Sequence, residues 1–170
     1  VSYKTWNSAM PTTVPMAGVA TANGTKTMLQ IAAPSTRDLE IVSWGYTVSV
    51  TPPGISTVEL LQTDVAATVT AHTSTGIVSR DPNAAASLVT LGTTATGFTA
   101  TVEGATTATR VFDTQLLGIA AGNTDLVAAQ QFMPDEERWI VGRSKFLRIR
   151  TTFTSTTPLF LCWVTWREIG

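Results

Sequence analysis

Between Arg37 and Asp64 apolar and polar positions alternate as they do along an extended chain. Leu39, Ile41 and Ser43 fall on one side of such a chain, and Glu40, Val42, Trp44, Tyr46 and Val48 on the other. β-Branched and aromatic residues dominate the run, and these suit a pleated, half-buried surface. Thr51-Pro52-Pro53-Gly54 ends it, because neither proline can donate a ladder hydrogen bond. A second apolar run follows from Ile55 to Leu61, so the stretch predicts two long strands joined by a turn.

The same pattern recurs along the chain. Thr25 to Ala32 reads as a short strand that follows the Asn23-Gly24 turn and stops before Pro34. From Ala66 to Thr109 the chain is rich in Thr, Ala, Ser and Gly, with Ser87–Leu91 and Phe98–Val102 as its strand-like pieces. A structureless loop of that length is unusual, so an elaborated, surface-lying insertion is expected. Arg110–Leu117, Leu126–Met133, Arg138–Val141, Phe146–Phe153 and Leu159–Arg167 complete the series. In the last of these both faces are apolar, Leu159, Leu161 and Trp163 against Phe160, Cys162, Val164 and Trp166, the pattern of a strand covered on both sides. Val42, Trp44, Leu60, Leu147, Ile149 and Leu161 are the expected core positions. About eight strands with turns between them and no long helix predict an all-β protein, a single β-sandwich of the two-sheet jelly-roll type.

Val1 to Asn23 has no regular period and carries Pro11, Pro15 and Gly18. Trp6, Met10, Val14 and Met16 are too scattered for a helix face, and a solvated linker rarely carries such side chains. A frayed tail is one reading; an extended arm lying on a neighbouring subunit is the other. The expected organisation is an arm over residues 1–24 and a sandwich domain over residues 25–170, with the Thr/Ala-rich insertion around residues 66–109.

Composition sharpens this picture. The chain has 170 residues, enough for one domain with a core that needs neither disulfides nor metal. Only 14% of residues are charged, which leaves a hydroxyl-rich surface poorly defended against association. A net charge of −1 gives no general drive toward nucleic acid or anionic membrane. The longest apolar runs fall far short of the roughly 20 residues that span a bilayer. The N-terminus shows neither a basic leader nor a continuous apolar core, so no secretory signal is expected.

Candidate chemistry is sparse. His72, the single histidine, sits in a Thr-rich stretch without a second His or Cys nearby and reads as surface decoration. Cys162, the single cysteine, lies in an apolar run and reads as a buried, inert thiol. Asp135, Glu136 and Glu137 beside Pro134 read as a solvated, salt-bridged turn. No nucleophile elbow, phosphate loop or dinucleotide glycine pattern occurs, so neither an enzyme nor a cofactor is expected. Arg138, Arg143, Lys145, Arg148 and Arg150 crowd the last third. They are either a solvated face or a basic patch that docks on an acidic protein; aromatic residues do not interleave them as nucleic acid would require.

Lys26-Thr27-Met28-Leu29-Gln30 before Ala33-Pro34, Leu39-Glu40-Ile41-Val42-Ser43-Trp44-Gly45 and Val58-Glu59-Leu60-Leu61 occur in that order. Gly97-Phe98-Thr99-Ala100, Leu147-Arg148-Ile149-Arg150 and a final apolar strand ending at Glu168 follow. In this order and spacing the chain resembles a family of small all-β proteins of tailed bacteriophages, the head decoration (cement) or minor capsid proteins. The tryptophan-rich ending, the insertion and the N-terminal stretch depart from that pattern. The resemblance implies a jelly-roll homotrimer on the outer surface of the virion, clamping neighbouring major capsid proteins, with no catalytic residue, nucleic acid, membrane or small-molecule substrate. Partner contacts are then expected from Trp6, Met10, Val14 and Met16 on the arm and from Arg138, Arg143, Lys145, Arg148 and Arg150. A tail, fibre or baseplate β-module and a carbohydrate-binding sandwich with exposed Trp139, Trp163 or Trp166 share the same composition.

Overall fold

A computed structural model describes residues 1–9, 15–49, 54–104, 107–117, 126–133, 136–154 and 157–170. Eight of its strands pair as one long hairpin rolled up on itself. β1 (Ser2–Trp6) pairs with the last strand, β13 (Leu159–Ile169), and β3 (Gly24–Ala32) with β12 (Phe146–Phe153). Inside these, β4 (Asp38–Val48) pairs with β10 (Leu126–Gln131), and β5 (Ser56–Thr63) with β9 (Arg110–Leu117). All four pairs are antiparallel, and the pairs β13–β4 and β12–β5 tie them into two sheets. Short strands fill the margins: β2 (Val19–Ala20), β6 (Thr68–Ala71), β7 (Val78–Ser79), β8 (Gly97–Val102) and β11 (Ile140–Val141). One sheet runs β10–β4–β13–β1–β7, with β11 beside β4 and β2 beside β13. The other runs β6–β8–β3–β12–β5–β9. Two antiparallel sheets joined by this nested pairing form the double Greek key of a jelly roll, the expected fold.

The core lies between the sheets. Trp44, Tyr46, Phe160 and Trp166 come from one side and Leu60, Leu147, Ile149 and Phe153 from the other, all fully buried. Tyr46 stacks on Phe160 with ring centroids 5.4 Å apart. Each such side chain contributes roughly 1.5–3 kcal/mol by leaving water. Cys162 is in this core, and burial pushes its thiol well above the usual range.

Three expectations are corrected here. Strict alternation puts Leu39 and Ile41 opposite Trp44, Tyr46 and Val48, yet all five are buried. A bulge explains this: β13 residues Thr165 and Trp166 pair with Ser43 and Ile41, so Val42 is the extra residue and the strand changes face there. Val42 is consequently only half-buried, and Leu161 is half-buried because it alternates with the buried Phe160 and Cys162. The arm over residues 1–24 is the second correction, because its first residues are the first strand of the roll. Tyr3 lies opposite Trp166 and Trp6 opposite Trp163, while Tyr3, Thr5 and Asn7 are buried. Asn7 extends the ladder with its side chain: Nδ2 donates to the Phe160 carbonyl at 2.9 Å, and Oδ1 accepts from the Cys162 N–H at 2.8 Å. A strand of five residues, SYKTW, is too short to show a period by itself. Ser87–Leu91 is the third: it is not a strand and makes only isolated bridges at Thr90 and Leu91.

The insertion extends the second sheet through β8 and β6 and covers part of its outer face. There Gln30 of β3 is fully buried, donating to the Ala67 and Ala95 carbonyls and accepting from the Ala67 N–H. One glutamine thus satisfies three backbone groups of the insertion.

Two truncations test this architecture by chemical denaturation. Ile149→Ala is expected to cost on the order of 2–5 kcal/mol. Deleting residues 1–7 is expected to destabilise the whole roll, since it strips the β1 ladder and the Tyr3 packing; an unchanged midpoint would return this stretch to the status of a tail.

Candidate functional site

Alternation along β1 and β13 decides what the first sheet shows to solvent. With Tyr3, Val164 and Trp166 turned inward, Lys4, Trp6, Leu159, Leu161 and Trp163 point outward. Trp6 and Trp163 are directly opposite each other in the ladder. The Lys4 ammonium lies 4.9 Å from the centroid of the Trp6 ring and 5.2 Å from that of Trp163. Each cation–π contact of this kind contributes about 0.5–1 kcal/mol at a partly exposed site. Burial against the indoles, and then the nearby positive charge of Arg80, lower the Lys4 pKa.

Gly45 of β4 seats the second indole. A Cβ there would overlap Trp163 Cζ2 and stand 2.7 Å from the Ala128 carbonyl oxygen, so only glycine lets the ring lie this close to the strand. Beyond it the face continues as an apolar groove of about 390 Å³ lined by residues that include Met16, Val127, Leu159 and Leu161. Val127 is 70% exposed and Leu159 49%. Here β13 departs from its sequence pattern: apolar on both sides, it has the core on one side and this open strip on the other.

The residues expected to bind a partner do not assemble as one site. Trp6 and Met16 reach this face; Met10 and Val14 lie outside the described residues. The expected basic patch is corrected. Arg138 pairs with Glu40 at 3.2 Å, Arg143 with Asp38 at 3.7 Å, Lys145 with Asp64 at 2.9 Å and Arg150 with Glu59 at 2.9 Å. Arg148 is wholly buried beneath the insertion, its guanidinium donating to the Val65 and Glu103 carbonyls. The Glu103 carboxylate lies 3.9 Å from Arg148 and accepts hydrogen bonds from the Thr27 N–H and hydroxyl. These charges crowd together in sequence, but the sheets hand each one an acid from a distant segment. Lys4, Gly45 and Arg80 were not legible as site residues; the two-faced apolar run at Leu159–Trp166 was the available signal. Of the tryptophans proposed as a platform, Trp166 is in the core, Trp139 packs on Phe112 and Phe132, and Trp163 faces outward.

His72 is buried rather than surface decoration. Thr5 donates its hydroxyl hydrogen to the Gly76 carbonyl at 2.7 Å, so its oxygen accepts from the ring at 3.2 Å. Nε2 therefore carries the proton and also donates to the Trp6 carbonyl at 2.7 Å. This direction of bonding makes the pair a clamp between β1 and the insertion, not a base beside a nucleophile. Gly76 closes the other side: a Cβ there would stand 2.5 Å from Nδ1. Burial lowers the His72 pKa, partly offset by the bond to Trp6.

Among the described residues no three His, Cys, Asp or Glu side chains converge as a metal site requires, and no helix is long and apolar enough to cross a membrane. No protein-family model, curated protein or solved structure matches the chain.

Two stability measurements follow from the buried polar groups. As pH falls below about 6.5, the unfolded chain protonates its histidine before the folded chain does, so stability is lost down to the lowered folded pKa of His72. Melting temperature should fall from pH 7 toward pH 5.5, and His72→Gln should flatten that slope while lowering the plateau. Glu103→Ala should cost on the order of 3–5 kcal/mol by leaving the Arg148 charge buried without its acid, measured by denaturant unfolding.

Proposed function

We propose that the chain is a structural docking protein of a tailed-phage particle: a decoration protein that sits on the outside of the head and ties neighbouring major capsid proteins together. The observation that carries this reading is the outward strip of β1, β4 and β13, where a central strand apolar on both faces is fully covered by its own chain on one face and only partly on the other. Large exposed apolar strips rimmed by polar residues are typical of protein contact surfaces. The family resemblance supplies the kind of partner, and the homotrimer it implies would place three such strips on one particle site. Binding to the assembled shell and not to its dissociated subunits would stabilise the shell by mass action. Repetition over many sites makes weak individual contacts sufficient.

A carbohydrate-binding role is the second reading, favoured by the close seating of the outward Trp163 on Gly45. It is the weaker of the two, because the Lys4 ammonium already lies over both indoles and the neighbouring groove is largely apolar.

Co-sedimentation with undecorated heads tests the proposal. The full chain should bind, Trp163→Ala should weaken binding at least tenfold at a temperature where the variant is still fully folded, and sedimentation equilibrium should report trimers. Failure of the full chain to bind heads, with binding to tails instead, would move the protein to the tail or baseplate.

A further inference from the structure

We infer that the Lys4–Trp6–Trp163 face takes an acidic polypeptide segment, one carboxylate meeting Lys4 and Arg80 and an adjacent apolar side chain entering the groove beside Leu161. This rests on the reading of the chain as a docking protein and names the chemistry of its partner. Charge distribution is the first reason. Arg138, Arg143, Lys145, Arg148, Arg150 and Arg167 each have a carboxylate within 4.0 Å. Lys4 and Arg80, like Lys26, Arg37 and Arg110, have none among the described residues, and these two are close enough for Arg80 to lower the Lys4 pKa. Backbone pairing holds them together, the Arg80 N–H donating to the Ser2 carbonyl at 3.0 Å. The adjacent Asp81 is engaged in its own turn, Oδ1 accepting from the Asn83 N–H at 2.9 Å. A partly buried Lys4 and an exposed Arg80 of like sign therefore share one face, and a carboxylate from outside would relieve their repulsion.

Apolar surface beside those charges selects the rest of the partner. The groove is walled by Met16, Val127, Leu159 and Leu161, and of its hydroxyls Ser49 Oγ already accepts from the Leu159 N–H at 3.0 Å. A saccharide would find few hydrogen-bonding groups there, whereas a Leu or Phe side chain needs none. A nucleic acid would need many more cations than two to gain from its phosphates. An acidic segment with apolar residues satisfies both halves of the face.

The test uses the full chain labelled with ¹⁵N, whose tryptophan indole N–H resonances report each ring separately. The probe is the blocked peptide Glu-Leu-Asp-Phe-Glu-Leu, with its Lys-for-acid counterpart and maltohexaose as alternatives. The acidic peptide should shift the Trp6 and Trp163 indole resonances and leave Trp44 and Trp166, both in the core, in place. Raising salt from about 50 mM to about 500 mM should weaken the interaction roughly tenfold. Lys4→Glu with Arg80→Glu should abolish it while the other resonances stay put. Equal shifts with the basic peptide, shifts with maltohexaose in preference, or no movement of Trp6 and Trp163 would overturn the inference. Head binding separates the two proposals. A chain that takes the acidic peptide and ignores heads keeps this surface and loses the virion role; head binding indifferent to Lys4→Glu and Trp163→Ala keeps the role and loses the surface.

Discussion

The ladder between β4 and β13 is the constraint on which the rest depends. It ties the outermost pair, β1–β13, to the pair β4–β10, and its bulge at Val42 lets Leu39, Ile41, Trp44, Tyr46 and Val48 all reach the core. Without that extra residue, one half of the strand would carry its large side chains to the solvent face, since a one-residue slip inverts every position beyond it. The same register fixes the outer face: Gly45 falls opposite Trp163 in the ladder, and the indole can settle over it. Core and outward apolar strip are two sides of one pairing.

Polar groups buried outside that core hold the insertion in place. Gln30 takes three of its backbone groups, Glu103 and Arg148 join its far end to β3 and β12, and His72 joins it to β1. A stretch of Thr and Ala has little apolar area to bury, so directional bonds to an already formed sheet fix its position instead. The histidine clamp also links the insertion to the Trp6 carbonyl, one residue whose side chain is on the exposed face. Acid that loosens the clamp therefore acts on the backbone beneath that face.

Pairing of charges accounts for most of the basic cluster. The cations clustered in the last third of the sequence are neutralised by acids on β4, β5 and the insertion, as when Arg150 falls opposite Glu59 in the ladder between β12 and β5. On the β1 side Lys4 and Arg80 have no acid within 4.0 Å among the described residues, and Lys4 lies over the outward Trp6 and Trp163 rings.

The sequence by itself determined the longer strands from Gly24 onward, though not β6 or β7, and the all-β class, because alternation and turn residues are local properties of the chain. It also marked Leu147, Ile149, Leu60 and Trp44 as core, and the Leu159–Trp166 run as apolar on both faces. Tertiary structure alone decided that Ser2–Trp6 is a strand, since five residues acquire a partner only when β13 arrives from the other end of the chain. It decided equally that the basic cluster is paired and partly buried, because each acid comes from a segment dozens of residues away. Which side of β13 the core would take, and which side a partner would find open, depended on the bulge and on nested pairing. Those are relations between distant segments, and no local pattern carries them.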